Sequence, residues 1–223
     1  MPEFAERKYF VAVAGNIGVG KTTLARALAS QLGWNCYLEP VIDNPYLDDF
    51  YADMSRWAFH LQVYFLSKRF VSQRAIEVAD VSCVQDRTIY EDVEVFAHTL
   101  HRRGHLVGRD WDNYRDLFHC MTEYLRSPDL IIYLRCDVDT LVKRIRHRGR
   151  ASEMTISRDY LHELNDAYED WVKRGTQQFR MAVLETGHDQ ELNSAQVLKQ
   201  SLDLLRVNLQ LEIPFFNESS QSI

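Results

Sequence analysis

Gly15-Asn16-Ile17-Gly18-Val19-Gly20-Lys21-Thr22 is the stretch that decides the fold, because it has the complete GxxxxGK[ST] spacing of a phosphate-binding loop. The apolar run Tyr9–Ala14 precedes it and predicts a buried strand, and Lys21–Leu32 follows with leucines at helical spacing. Backbone N–H groups of the loop and the positive end of the helix would surround a phosphate group. Lys21 would then reach the β- and γ-phosphates of a nucleotide, and the Thr22 hydroxyl would bind Mg²⁺.

Composition and charge exclude several classes of protein. The net charge of −6 argues against a nucleic-acid polymer as partner, although a small basic pocket remains possible. No apolar run reaches the roughly 18 residues of a membrane span, and the first seven residues resemble no targeting segment, so we expect a cytoplasmic protein. The four cysteines lack CxxC spacing, which predicts buried, reduced thiols rather than disulfides or a zinc site.

Short apolar runs alternate with helical patterns along the rest of the chain. The further predicted strands are Asn35–Leu38, Val81–Gln85, Leu130–Leu134 and Met181–Glu185. The further predicted helices are about 45–51, 55–79, 91–103, 111–125, 139–147, 157–174 and 194–209, with Asp137 or Asp139 capping the one that ends near His147. Apolar strands of this kind predict an α/β fold, a five-stranded parallel sheet flanked by helices on both faces. No linker divides the chain, which indicates one domain over 1–223 with a frayed tail at about 214–223.

The predicted helix from Ser55 to about Ala79 has apolar residues on most of its faces. Ser55 is the expected N-cap. A helix that is apolar all round is buried, either in the centre of the fold or in a contact between subunits. The second alternative favours a homodimer.

Two acids follow predicted strands, where open parallel sheets bind their ligands. Glu39 comes after the second strand, and Asp86 ends the third strand directly before Arg87. Each acid taken singly could equally be a solvent-facing charge or a helix cap. Beside a phosphate-binding loop, they fit hydroxyl activation, Mg²⁺ binding and stabilisation of charge, as a small-molecule kinase requires. The NKxD motif by which GTPases read guanine does not occur in the chain.

Two further clusters are ambiguous from residue type alone. Arg144 and Arg148 share a predicted helix face, as do Arg146 and Arg150 if the helix continues past Gly149. These arginines either complement a helix C-terminus or form a lid that closes over phosphates, with Gly149 as hinge. The histidines at positions 98, 101 and 105 have helix-face spacing, but Gly104 interrupts the helix, so a solvated surface is favoured over a metal site.

Seven motifs occur in one order along residues 9–172. They are Gly15–Thr23 (GNIGVGKTT), Glu39-Pro40-Val41, Asn44-Pro45-Tyr46-Leu47, Phe50-Tyr51, Arg56-Trp57-xxx-Leu61-Gln62, Gln85–Asp92 (QDRTIYED) and Arg144-xxx-Arg148-Gly149-Arg150-xx-Glu153. In this combination the chain resembles the deoxynucleoside kinases, the family of the deoxycytidine, deoxyguanosine and deoxyadenosine kinases. It is most similar to the bacterial members of deoxyadenosine kinase type. Thr88 stands where the family usually has serine.

The resemblance implies a P-loop kinase with a short arginine-rich lid, which transfers the γ-phosphoryl group of ATP to the 5′-hydroxyl of a deoxynucleoside. Glu39 would be the general base, and Arg87 would hold it and stabilise the developing charge. Asp86 would bind Mg²⁺ together with Thr22, although Asp86 could instead be the base.

The resemblance also implies two sets of binding residues. The ATP-binding set is Gly15, Asn16, Ile17, Gly18, Val19, Gly20, Lys21, Thr22, Thr23, Arg144, Arg148 and Arg150. The substrate-binding set is Glu39, Tyr51, Gln62, Arg69, Arg87, Asp92 and Glu153. Tyr51 and Glu153 would bind the 3′-hydroxyl, and Gln62, Arg69 and Asp92 would read the base. Trp57 and Phe96 are candidate walls of the pocket.

The expected base follows from hydrogen-bonding capacity. The Gln62 amide suits the edge of adenine or of cytosine, and an Asp92 carboxylate held by Arg69 accepts from an exocyclic amine. We therefore expect deoxyadenosine first, deoxycytidine or deoxyguanosine as possible substrates, and thymidine as a poor one. The alternative is that Arg69 and Asp92 form a purely structural ion pair.

Two other functions remain open from the sequence. A nucleoside-monophosphate kinase would need cations where Glu39 stands, because its acceptor already carries a phosphate. A non-catalytic, nucleotide-binding regulator would keep the phosphate-binding loop but would not need Glu39, Tyr51 and Gln62 together.

Overall fold

The computed structural model describes residues 7–38, 44–176, 178–187 and 194–211. In these ranges the strands are β1 (Phe10–Gly15), β2 (Asn35–Tyr37), β3 (Cys83–Asp86), β4 (Leu130–Arg135) and β5 (Met181–Glu185). The helices are α1 (Lys21–Leu32), α2 (Leu47–Ala52), α3 (Met54–Glu77), α4 (Ile89–Glu91), α5 (His98–Arg102), α6 (Arg109–Thr122), α7 (Val138–Arg148), α8 (Arg158–Gly175) and α9 (Ser194–Leu209). A π-helical segment (Asp92–Ala97) joins α4 to α5, and a 3₁₀ turn (Ala151–Glu153) follows α7.

The described strands form one parallel sheet in the order β2-β3-β1-β4-β5. The central strand β1 pairs with β3, where Val13 lies opposite Asp86, and with β4, where Gly15 lies opposite Leu134. The chain reverses its direction of winding at β1, so the carboxyl ends of β1 and β3 form the crevice in which such sheets bind ligands. The predicted five-stranded parallel sheet is confirmed.

The helices cover both faces of the sheet, as predicted. Along β1, Phe10 and Ala12 pack into a core cluster with side chains from α2, α3, α6 and α8. Val11 and Val13 point the opposite way and pack against α1 and α9. Because side chains alternate along a strand, an apolar residue at every position of β1 requires a covered sheet on both sides.

The long helix α3 differs from its prediction in two respects. Asp53, not Ser55, is the N-cap, because its carboxylate accepts a hydrogen bond from the Arg56 backbone N–H at 3.1 Å. The helix is not buried all round within the chain, since Val71 is 64% exposed. It instead carries three buried polar side chains, Gln62, Arg69 and Gln73, which the apolar pattern alone did not place there.

The helix predicted over 91–103 is interrupted by the π-helical segment Asp92–Ala97. A π-helical turn holds an additional residue, which changes the direction in which the following side chains point. Asp92 and Phe96, both within this segment, line the cavity described below. Two side chains of the π-helical segment thus face the ligand site.

All four cysteines are free thiols. Cys83 and Cys136 are buried as predicted, but Cys36 and Cys120 are exposed. Cys36 is exposed because β2 is an edge strand of the described sheet with little cover, so the prediction of buried thiols is wrong for these two residues. None of the helices in the described residues is both long and apolar enough to cross a membrane. The predicted frayed tail at about 214–223 lies outside the described residues.

Candidate active site

The phosphate-binding loop connects β1 to α1 and is anchored from α8. The Asn16 side chain donates to the Leu161 carbonyl oxygen at 3.0 Å and to the Asn165 side-chain oxygen at 2.6 Å. Lys21 is buried at the first position of α1, and its ammonium donates to the Asn16 carbonyl oxygen at 3.0 Å. The lysine is therefore held against the loop rather than extended into solvent.

Gly18 is the loop position where a side chain is excluded most clearly. Its φ is +84°, and a Cβ atom there would lie 2.7 Å from Cγ1 of Ile145 on α7. Glycine is thus required twice, by the left-handed backbone and by the close approach of α7. The first N–H groups of a helix have no partner within the helix, so the amino end of α1 suits an anion at this end of the cavity.

Asp86 lies at the carboxyl end of β3, beside the first turn of α1. The Thr22 hydroxyl donates a short hydrogen bond to Oδ2 of Asp86. The other carboxylate oxygen, Oδ1, is buried and has no hydrogen-bond partner among the described residues. A hydroxyl and a carboxylate with an unsatisfied oxygen match the ligands that Mg²⁺ takes beside a nucleotide. The residues present therefore fit the predicted metal site.

Arg87 holds an unusual backbone conformation directly after Asp86. Its φ is +70°, which is strained for a residue with a side chain, and its N–H donates to the Val13 carbonyl oxygen at 2.9 Å. Its guanidinium carbon lies 4.2 Å from the centre of the Phe96 ring, and the side chain is almost fully buried. The strained turn aims a cation into the cavity at the end of β3.

One cavity of about 470 Å³ is lined by many of these residues, including Thr22 and Arg87, although not by Asp86. It runs from the phosphate-binding loop and the amino end of α1 to the inner face of α3. Its lining includes Ile17, Gly18, Gly20, Lys21, Thr22, Thr23, Leu38, Phe50, Tyr51, Gln62, Phe65, Arg87, Asp92, Phe96, Arg144, Arg148, Arg150, Glu153 and Tyr160. Most of the side chains singled out from the sequence thus surround a single space.

The far end of the cavity combines an amide with an ion pair. Gln62 is 3% exposed, and its Oε1 has no hydrogen-bond partner within the part of the chain that the structure describes. Asp92 also lines the cavity, and Arg69 lies behind it, with Nε of Arg69 2.6 Å from Oδ2 of Asp92. Arg69 is not among the residues that line the cavity, and its Nη1 donates to the carbonyl oxygens of Asp86 and Arg87 at 3.3 Å each.

Tyr114 closes the back of this ion pair from α6. It is fully buried, and burial first, then the nearby Asp92 carboxylate, raises the pKa of its hydroxyl well above the ordinary value. The hydroxyl therefore stays protonated, as an apolar environment beside an acid requires.

The arginines after β4 differ in the groups that they contact. Arg144 is fixed, since its guanidinium donates to the carbonyl oxygens of Val19 at 3.2 Å and of Thr186 at 2.6 Å. Arg148 and Arg150 both pair with Glu153, Arg150 at 3.1 Å. All four of the predicted residues Arg144, Arg148, Arg150 and Glu153 line the cavity.

The predicted Arg146–Arg150 helix face is wrong. The helix ends at Arg148, and Gly149 takes the left-handed conformation of a C-cap with φ +68°. Glycine at this position ends helices because it has no Cβ penalty there. Arg150 consequently reaches the cavity from an extended segment and not from a continued helix.

Two residues singled out from the sequence are not seen in the site. Glu39, the predicted general base, lies outside the described residues, although Leu38 before it lines the cavity. Trp57 packs against Tyr46 and His60, whereas Phe96 is a wall of the cavity.

Two of the three histidines are tied into local structure. His101 stacks on Trp111 with ring centres 4.4 Å apart. The Nδ1 atom of His105 lies 2.7 Å from the Ser55 hydroxyl. His98, His101 and His105 are all partly buried, so they are less solvated than the sequence indicated.

Several cavity residues were missed by the sequence reasoning. Phe50 and Phe65 supply apolar walls, Arg26 adds a cation one turn beyond Thr22, and Tyr160 closes the side formed by α8. The only available signal was helical spacing: Arg26 follows Thr22 by four residues and therefore shares its face.

With this geometry in hand, comparison with known proteins decides the family. The family described as deoxynucleoside kinase matches residues 11–206. The chain belongs to the deoxynucleoside kinase family. It is therefore an enzyme that phosphorylates deoxynucleosides, and the resemblance inferred from its motifs is confirmed.

Individual relatives agree with this membership. The kinase is 45% identical to a deoxyadenosine/deoxycytidine kinase of Bacillus subtilis over 164 residues, which cover 73% of this chain and 76% of the relative. It is 40% identical to a deoxyadenosine kinase of Dictyostelium discoideum, with 92% of this chain and 84% of the relative covered. Among solved structures, a deoxyadenosine kinase from M. mycoides with bound dCTP superimposes with a TM-score of 0.78 at 28% identity, covering 89% of this chain and 99% of that one.

Proposed function

We propose that this kinase transfers the γ-phosphoryl group of ATP to the 5′-hydroxyl of a deoxynucleoside, with deoxyadenosine preferred, for nucleotide salvage. The observation that carries the proposal is the single cavity that runs from the phosphate-binding loop to Gln62 and Asp92. Such a cavity has room for a phosphate chain at one end and a nucleoside at the other. Phosphoryl transfer needs the two substrates in line within one enclosed space.

In this proposal Lys21 and the loop N–H groups hold the phosphates of ATP, with Arg148 and Arg150 as the lid over them. Glu153 orients both lid arginines in the structure, so their guanidinium groups are already directed towards the cavity. Arg144 contributes differently, since it is bound to the Val19 carbonyl and supports the loop itself.

Thr22 and Asp86 would hold Mg²⁺, which neutralises phosphate charge and fixes the orientation of the transferred group when it is bound. Glu39 would accept the proton of the 5′-hydroxyl. The 5′-oxygen of the deoxynucleoside would then bond to the γ-phosphorus while the bond between the γ-phosphorus and ADP breaks. Arg87 would stabilise the charge on the transferred group from the strained turn after Asp86.

Base recognition is proposed to rest on Gln62 and Asp92, with Arg69 holding Asp92 from behind. The Oε1 of Gln62 is buried with no partner in the described part of the chain, which favours a ligand that donates a hydrogen bond there. Asp92 accepts hydrogen bonds only, so bases with an exocyclic amine are favoured over thymine. Tyr51 and Glu153 both line the cavity, and we propose that they bind the 3′-hydroxyl of the sugar.

The first experiment is a coupled ADP-release assay with the four deoxynucleosides and their monophosphates. We expect turnover with deoxyadenosine above deoxycytidine and deoxyguanosine, little with thymidine, and none with monophosphates. Turnover with monophosphates alone would point to a nucleoside-monophosphate kinase, and no turnover with any acceptor would point to a regulator.

The assignment of Glu39 as the general base is tested by comparing Glu39→Gln with Asp86→Asn. Glu39→Gln keeps the shape of the side chain and removes its proton acceptor, so kcat should fall by about 10²–10⁴-fold with deoxyadenosine binding retained. Asp86→Asn should instead raise the Mg²⁺ concentration needed for half-maximal rate. If only Asp86→Asn abolishes turnover, the two acids exchange roles.

The proposal also covers the location and the oligomeric state of the kinase. We propose a cytoplasmic homodimer that uses the partly exposed face of α3, where Val71 lies open to solvent. Sedimentation at several protein concentrations tests the dimer, and a monomer throughout would contradict it.

A further inference from the structure

Glu91 is a fully buried carboxylate that contacts both halves of the active site. Its Oε1 accepts a hydrogen bond from the Gly15 N–H at 3.2 Å, and its Oε2 accepts one from the Thr88 N–H at 2.9 Å. Gly15 opens the phosphate-binding loop, and Thr88 follows the Asp86–Arg87 turn. One side chain thus joins the segment that holds phosphate to the segment that carries the metal ligand.

Tyr168 of α8 completes the same network. Its hydroxyl lies 2.8 Å from the Gly15 carbonyl oxygen and 2.6 Å from Oε1 of Glu91. Its ring is fully buried and stacks on Tyr133 with centres 5.3 Å apart. Burial first, and then the Glu91 carboxylate, raises the pKa of Tyr168 well above its ordinary value, so the hydroxyl keeps its proton for donation.

Buried side chains therefore flank both polar groups of Gly15. Glu91 accepts from its N–H, and the Tyr168 hydroxyl, which has one proton, donates it either to the Gly15 carbonyl oxygen or to Glu91. Gly15 has a φ of +144°, and a Cβ atom there would lie 2.8 Å from the Leu134 carbonyl oxygen. A glycine with this freedom needs outside contacts to select one conformation. The direction of its peptide group sets where the following N–H groups of the loop point.

We propose that Glu91 and Tyr168 are positioning residues, which hold the phosphate-binding loop in its nucleotide-binding shape and in register with the Asp86–Arg87 turn. Neither side chain lines the cavity, so both act through Gly15 and the turn. The inference rests on the proposed ATP site. A positioning role can be told from a packing role by measurement. A change in the shape of the loop lowers kcat/KM for ATP, whereas a loss of packing lowers only the stability of the fold.

The experiment compares Tyr168→Phe, Glu91→Gln and their double variant with the wild-type kinase. Tyr168→Phe removes one hydroxyl and keeps the ring, and Glu91→Gln keeps the volume and replaces one acceptor by a donor. Each single variant should lower kcat/KM for ATP by about tenfold, the usual effect of one lost buried hydrogen bond. KM for deoxyadenosine should stay within about twofold, and the double variant should be about as impaired as a single one, because both act through Gly15.

The matched control is Tyr133→Phe. Tyr133 is equally buried and stacks on Tyr168, but its hydroxyl contacts Glu169 at 3.2 Å and not the loop. The control should leave kcat/KM for ATP within about twofold of wild type even if it lowers the unfolding midpoint.

Two outcomes would overturn the inference. One is that Tyr168→Phe and Tyr133→Phe have the same kcat/KM for ATP. The other is that KM rises by the same factor for ATP and for deoxyadenosine. If Glu91→Gln does not fold, Tyr168→Phe decides by itself. Wild-type protein without turnover on any deoxynucleoside would refute the proposed function instead, so the two failures are distinguishable.

Discussion

Replacing Arg69 by methionine should leave a buried negative charge without its cation. Nε of Arg69 lies 2.6 Å from Oδ2 of Asp92, and the two side chains are 2% and 4% exposed. Removing one partner of a buried ion pair costs about 3–5 kcal/mol, because the remaining charge stays desolvated. We expect the free energy of unfolding to fall by that amount. For a chain of this size the melting temperature should drop by roughly 6–20 °C.

Adding Asp92→Ala to the same chain should recover part of this loss. The stranded carboxylate is then gone, and methionine fills part of the space of Arg69. The two hydrogen bonds from Arg69 to the carbonyl oxygens of Asp86 and Arg87 remain lost, at about 0.5–1.5 kcal/mol each. The double variant should therefore be more stable than Arg69→Met by about 2 kcal/mol.

Urea unfolding followed by tryptophan fluorescence measures the four corners of this cycle. Arg74→Met is the matched control on the same helix, because the Arg74–Glu77 pair is exposed on the arginine side and should contribute less than about 1 kcal/mol. Additive losses of Arg69→Met and Asp92→Ala, within about 0.5 kcal/mol, would refute the coupling. A loss in Arg69→Met no larger than in Arg74→Met would refute the burial argument. The same double variant should also reduce the preference for deoxyadenosine over thymidine.

Two smaller predictions follow from the backbone and from a histidine. Gly18→Ala should lower kcat/KM for ATP by at least about tenfold, since its Cβ would meet Ile145 at 2.7 Å. Gly33→Ala, with a similar positive φ but no atom within 4 Å, should lower stability by about 1 kcal/mol and leave kinetics unchanged. Burial, and then the cation of Arg174, lowers the pKa of His98 in the folded chain. The unfolded chain then binds more protons than the folded chain as pH falls through about 6.5, so the stability of the fold should decline there. His98→Gln should make the decline in urea midpoints between about pH 7.5 and 5.5 less steep. An unchanged slope in His98→Gln, or equal kinetics in Gly18→Ala and Gly33→Ala, would contradict these expectations.

The sequence by itself determined the sheet, the phosphate-binding loop and the family. The loop motif was readable because its chemistry depends on consecutive backbone positions, from Gly15 to Thr22, and not on distant contacts. The parallel sheet was readable because strands buried on both faces form continuous apolar runs, as in β1 and in β4 up to Leu134. The motifs around Asp86 and Arg148 gave the family because their order and spacing are specific in combination.

Only the tertiary structure decided which polar residues meet. The sequence suggested that Arg69 holds Asp92, but it did not indicate that Nη1 of Arg69 also donates to the carbonyl oxygens of Asp86 and Arg87. Arg144 lines the cavity as predicted for the lid residues, and a contact across 125 residues of chain, to the Val19 carbonyl oxygen, was not indicated by any local pattern.

The partners of Glu91 show the same limit most clearly. Gly15 and Tyr168 lie 76 and 77 residues away from it in sequence, and no local pattern brings them together. The π-helical segment that contains Asp92 likewise packs against α8 and α3, which lie far from it in sequence. Local propensity acts over a few residues, whereas these contacts depend on how the helices pack across the sheet, so they could be learned only from the folded chain.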